Sequence, residues 1–279
     1  MNRLILLICI LIISTSCVND KSKKSVINKK SLDDQVIEAY SKGLEALEDG
    51  DVIFAAKKFN EVEILFPQSD LAPKSSLMAA YSYYSQDYYE DTILELQRFL
   101  KIYPKDKNLD YAYYLLAISH YEQIVDEKKD TFAILKAKEY FKYIILNYPN
   151  TEYSLDASFK IELINDILAA KELYIGRYYI DKKKWIPAIN RFKNVVNDYD
   201  TTIYVEEALY RLVEVYYLLG LKKEARKYAK LLGYNYQSSQ WYENSYTFFD
   251  RTYKTKEIKK NKEKNKLVKK IKTFLNINE

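Results

Sequence analysis

The sequence predicts an all-α protein, an α-solenoid of five helical hairpins wound into a right-handed superhelix. Three observations predict it. The 279 residues include only five glycines and five prolines, where average usage of about 7% and about 5% would supply roughly twenty and fourteen. So small a stock of turn-formers argues against a β-sandwich or barrel, and against a glycine-rich nucleotide loop. Four segments end alike, at Leu65-Phe66-Pro67, Ile102-Tyr103-Pro104, Asn147-Tyr148-Pro149 and Asp198-Tyr199-Asp200, which marks an internal repeat. Finally, 29 tyrosines in a chain that is 48% hydrophobic and 30% charged suit amphipathic helices whose rings pack while their hydroxyls meet water or a partner.

The N-terminus reads as an address. Met1-Asn2-Arg3 is a short positive start, and Leu4 to Ile13 is unbroken apolar sequence, too short for the ~20 residues that span a bilayer and suited to a secretory signal. Ser14-Thr15-Ser16-Cys17 follows and resembles the lipobox of bacterial lipoproteins, with Ser14 where leucine or valine is usual. Residues 1–16 are thus a lipoprotein signal peptide and Cys17 the lipidated residue, its covalent lipid taking the place of any cofactor. Removal of the signal also removes Cys9, leaving no second cysteine for an internal disulfide. Val18 stands where such lipoproteins carry aspartate for inner-membrane retention, which favours the outer membrane. Residues 17–31, lysine-rich with little to bury, are a flexible tether.

The repeats occupy residues 32–253. Twelve residues before each shared ending stands a small residue (Ala55, Thr92, Ala137, Ala188), and four residues later an apolar one (Phe59, Leu96, Phe141, Phe192). Gly220, Ala225 and Leu232 mark a fifth copy. This pattern resembles the tetratricopeptide (TPR) repeat, an antiparallel helix pair of about 34 residues. Gly43 and Gly176 match its first-helix glycine, with Ala80 and Ala117 in that role in the second and third copies. Gly50-Asp51 and Gly220 match its inter-helix turn. One amphipathic pair cannot cover its own apolar faces, so the pairs stack into a continuous core.

Two irregularities divide the array. Eight extra residues, around Val125 to Asp130, form a charged loop inside the third repeat. Fourteen more precede the fourth, and from Leu155 to Ile180 the only glycine is Gly176 and there is no proline. The fourth repeat therefore opens with a helix of about 26 residues, which separates an N-terminal half (32–150) from a C-terminal half (151–253). Pro187 falls in the first turn of the next helix, where proline is tolerated. The tail, 254–279, has ten lysines against three acids. Leu267, Val268, Ile271, Phe274 and Leu275 share one side of a helical repeat there, a pattern that suits anionic lipid or an acidic partner as well as a solvated terminus.

Four stretches carry a family resemblance: Leu109 to Leu115, His120 to Ile124, Ala170 to Tyr179 and Val205 to Tyr210. With the lipoprotein signal, they resemble the BamD (ComL) family from the N-terminus to about residue 237. Asp200, in place of the usual proline, and the lysine-rich tail depart from it. The resemblance implies a non-enzymatic lipoprotein on the periplasmic face of the outer membrane, part of the β-barrel assembly machinery. It implies as partners the POTRA repeats of a BamA-like barrel protein, bound through the C-terminal half, together with other Bam lipoproteins and unfolded outer-membrane proteins. The alternative is another TPR lipoprotein, such as a secretin pilotin or a cell-wall synthesis coordinator.

The substrate groove is expected along the first helices of repeats one to three, at Tyr40, Leu77, Tyr81, Tyr84, Tyr111, Tyr114 and Tyr121, with Ile37, Leu44, Leu47 and Ile118 beside them. Alternating aromatics of an unfolded barrel strand suit a half-polar tyrosine groove. No catalytic or metal-binding set is expected. His120 is the sole histidine, which excludes a histidine cluster for zinc, and it stands at a packing position. Asp126, Glu127 and Asp130 alternate with lysines and read as solvated. The body between tether and tail is net acidic, which argues against nucleic acid.

Overall fold

The computed structural model describes residues 31–124, 131–237 and 239–249. The signal peptide, Cys17, the tether, most of the third-repeat insert and the tail lie outside the described residues. Among the described residues there are eleven helices and no strand. The first hairpin is α1 (Leu32–Glu48) with α2 (Val52–Leu65), the second α3 (Leu71–Tyr84) with α4 (Tyr89–Ile102). The third is α5 (Leu109–Glu122) with α6 (Phe132–Asn147), the fourth α7 (Glu152–Asp181) with α8 (Trp185–Asp198), the fifth α9 (Val205–Leu218) with α10 (Lys222–Asn235). Helices adjacent in sequence pack on each other throughout, as a solenoid requires. None is both long and apolar enough to cross a membrane.

Turn chemistry sets the hairpins. Four first helices end at a residue of positive φ: Gly50 (80°), Asp87 (62°), Lys183 (57°) and Gly220 (77°). The next amide then donates back across the turn, Asp51 to Ala46 O at 2.8 Å and Lys184 to Tyr179 O at 2.8 Å, satisfying carbonyls the helix end would leave unpaired. All five second helices end on an aromatic residue out of helical conformation: Phe66, Tyr103, Tyr148, Tyr199 and Tyr236. The proline that follows three of them prevents continuation. Tyr199 ends its helix in the same geometry although Asp200 follows.

The residues that marked the repeat form the core. Ala55, Thr92, Ala137, Ala188 and Ala225 are fully buried, as are Phe59, Leu96, Phe141 and Phe192. Partners across each hairpin compensate in size. Gly43 faces Phe59 and Gly176 faces Phe192; at the same repeat positions stand the buried residues Ala80 and Leu96, Ala117 and Phe141 and, with the sizes reversed, Val213 and Ala229. A Cβ on Gly43 would stand 2.8 Å from the Phe59 ring, so close packing excludes it there.

Polar ties cross the joints between hairpins. Arg98 on α4 meets Glu63 on α2 at 2.7 Å and donates to Asn60 at 3.0 Å and Ser76 at 3.1 Å. The Tyr103 hydroxyl donates to the other Glu63 oxygen at 2.8 Å.

Helix α7 runs 30 residues rather than about 26, roughly 45 Å at 1.5 Å per residue. It starts earlier because Thr151 caps it, the Thr151 hydroxyl accepting from Ser154 N at 3.2 Å. One buried cluster ends at Leu168 and the next begins at Ala169, so the two halves of the array share this helix. Five hairpins account for ten helices; α11 (Gln240–Tyr246) is an eleventh among the described residues. Ser239 caps it, and Tyr242 lies where a Cβ on Gly233 would stand, 2.5 Å away. Its Trp241 ring, 5.1 Å from Tyr210, covers the open end of the fifth repeat.

Candidate functional site: a tyrosine-lined groove

Between α3 and α5 lies an open cleft of roughly 330 Å³. Leu77, Tyr81 and Tyr111 line it, with Pro73 and Met78, and the charged residues Asp70, Lys74, Asp106 and Lys107 also line it. Leu77 is almost fully buried and makes the floor, whereas Tyr81 is 40% exposed. The Tyr111 phenol is held protonated well above its usual range, first by burial and then by the neighbouring Tyr81 and Tyr153 hydroxyls. The site is therefore apolar at its base and hydrogen-bonding at its edge.

The other expected residues extend along the same helix faces. Tyr40 meets Phe59 edge-on at 5.4 Å, with the Lys74 ammonium 5.5 Å from its ring centre, which joins the first repeat to the cleft. Tyr84 packs 6.0 Å from Tyr89, and burial raises its pKa. The Tyr114 hydroxyl donates to Asp156 on α7 at 2.8 Å, and its ring lies 5.0 Å from Tyr153. Tyr121 sits edge-on to Phe141 at 6.2 Å beneath the Lys160 ammonium at 4.6 Å. Tyr114 thus ties the third repeat to α7, while Tyr81 stands open. Ile37 and Leu44 are exposed, Leu47 packs beside the first core and Ile118 is buried in the second.

The sequence reading missed the cations at the cleft and the contribution of α7. Lys74 occupies the helix register of Ile37 and Tyr111, so the repeat itself marked it. Counting from Pro149 as from Pro67 and Pro104 places Asp156, Phe159, Leu163 and Asp166 of α7 at groove positions too.

His120 is buried, stacked on Tyr140 at 5.7 Å with Phe132 edge-on at 6.3 Å. Its Nε2 has no hydrogen-bond partner, and burial, reinforced by Lys136, lowers its pKa. A neutral packing ring fits this site. Among the described residues no cluster of three or more His, Cys, Asp or Glu is arranged to hold a metal ion.

The YfiO family, described as outer membrane lipoprotein, matches residues 32–231. The outer membrane protein assembly factor BamD of Rickettsia prowazekii is 39% identical over 241 residues, 86% of this chain and 95% of that protein. BamD of Caulobacter vibrioides is 41% identical over 207 residues, 74% of this chain and 68% of that protein. Among solved structures, the TPR2AB domain of yeast Sti1 is 11% identical with a TM-score of 0.44, covering 77% of this chain and 84% of that one. The chain belongs to the BamD (YfiO) family of outer membrane protein assembly factors.

Proposed function

We propose that the protein is a non-enzymatic scaffold of the β-barrel assembly machinery, lipid-anchored through Cys17 to the periplasmic face of the outer membrane. Its N-terminal groove receives segments of unfolded outer-membrane proteins, and its C-terminal half holds the POTRA repeats of a BamA-like barrel protein beside other Bam lipoproteins. Family membership supports the role in assembly. The observation that carries the substrate reading is the open cleft of Leu77, Tyr81, Tyr111 and Lys74. A barrel strand alternates apolar and polar side chains. The apolar floor suits its rings, and the tyrosine hydroxyls and lysines suit its backbone and polar edge.

Peptides copied from barrel strands provide the test, with binding followed by fluorescence anisotropy. Replacing Tyr81 and Lys74 with alanine should weaken binding roughly tenfold, about 1.4 kcal/mol, without changing helicity. Unchanged affinity in the folded double variant would remove the groove from the proposal.

A further inference from the structure

Among the described residues, the first half of α7 lacks the helix that every other first helix has across its hairpin. Counted from the preceding proline, Phe159, Glu162, Leu163 and Asp166 stand where Leu77, Ala80, Tyr81 and Tyr84 stand in the second repeat. There, α4 buries Ala80 completely. In the fourth repeat α8 pairs with the far half of α7, where Phe192 meets Gly176. The near half is left open: Leu155 is 64% exposed, Phe159 59% and Leu163 49%. These residues recur at four-residue spacing and so form one stripe.

The same face is acidic. At about 100° per residue, Glu152 and Asp166 fall within the arc spanned by Leu155, Phe159 and Leu163, Glu162 borders it at about 20° outside, and no lysine or arginine of the near half falls within it. None of the three acids has an ion-pair partner among the described residues. An occupant must therefore be apolar along one side and basic on its flanks.

We propose that this occupant is the chain's own C-terminal segment, residues 254–279, docked on α7 as a substitute second helix. Its ten lysines against three acids complement the face, and Leu267, Val268, Ile271, Phe274 and Leu275 repeat at the spacing that would meet the stripe. Reach permits it. The described chain ends at Phe249, packed 5.7 Å from Tyr217, and the seventeen residues from 250 to 266 extend up to about 60 Å, more than the length of α7. Tethering supplies an effective concentration on the order of millimolar, so a weak, salt-sensitive contact suffices. The inference holds whether or not the groove takes barrel substrates.

A photo-crosslinking amino acid at position 159 of the full-length protein tests it, since that side chain is exposed and its replacement leaves the core intact. The crosslinked peptide should map to residues 264–279 of the same molecule at a yield independent of protein concentration. That yield should fall several-fold in the Ile271→Ser/Phe274→Ser variant and at about 0.5 M salt. Hydrogen exchange supplies a second readout: amides of 152–166 should exchange several-fold faster in the tail variant than in the parent. Crosslinks to another segment, to a second copy or to nothing would overturn the proposal, as would exchange that the tail variant leaves unchanged.

Discussion

The Phe192 ring occupies the space a Cβ on Gly176 would need, with only 2.5 Å from that position to the nearest ring carbon. Both residues are buried in the core of the fourth hairpin, so the ring has nowhere to retreat. Gly176→Ala should lower stability by about 1–3 kcal/mol despite the better helix propensity of alanine. Combining it with Phe192→Leu recreates the Ala80–Leu96 pair of the second repeat and should recover most of the loss. Urea midpoints of the three variants measure this; a double variant no more stable than Gly176→Ala would show that the size pairs do not compensate.

Lys183 adopts φ of 57° at a turn where two other repeats use glycine. Left-handed conformation costs a non-glycine residue about 1–2 kcal/mol, and the exposed Lys183 side chain makes no hydrogen bond or ion pair among the described residues. Lys183→Gly should therefore raise the melting temperature by a few degrees. Asp87 is the contrasting case, since its carboxylate accepts from the Tyr89 hydroxyl at 2.7 Å. Glycine there should gain less.

His120 makes stability depend on pH. Burial, with Lys136 adding to it and Glu139 opposing it, holds the folded-state pKa below 6.5. The folded protein thus prefers the neutral ring, and the unfolded chain takes up the proton first. The stabilisation is complete above pH 6.5 and is lost as pH falls through the depressed folded value. His120→Phe, which keeps the ring stack on Tyr140, should flatten the stability profile between about pH 7 and pH 5. Equal slopes for parent and variant would contradict this.

Much of the fold was legible because one spacing governs it. Ala55 and Phe59 recur as Thr92 and Leu96, Ala137 and Phe141, Ala188 and Phe192, and each has the same physical task of letting two helices approach and filling the gap. The turn at Lys183 carried no such signal, because the left-handed residue there is not glycine. Helix α11 escaped notice because it stands outside the period, seated by Gly233 and Ser239 rather than by the repeat. In the groove, Tyr81 and Tyr111 were readable from register alone. The register also marks Asp156, but the pairing of Tyr114 with Asp156 and of Tyr121 with Lys160 was not readable, since it depends on how the third repeat meets α7.

The central claim is that this stack of hairpins serves barrel assembly as a scaffold. Purification of the full-length protein from detergent-solubilised envelopes, with mass spectrometry of what co-elutes, tests it most directly. A barrel protein bearing POTRA repeats should be recovered in near-stoichiometric amount. Recovery of a secretin or a cell-wall synthase in its place would contradict the claim.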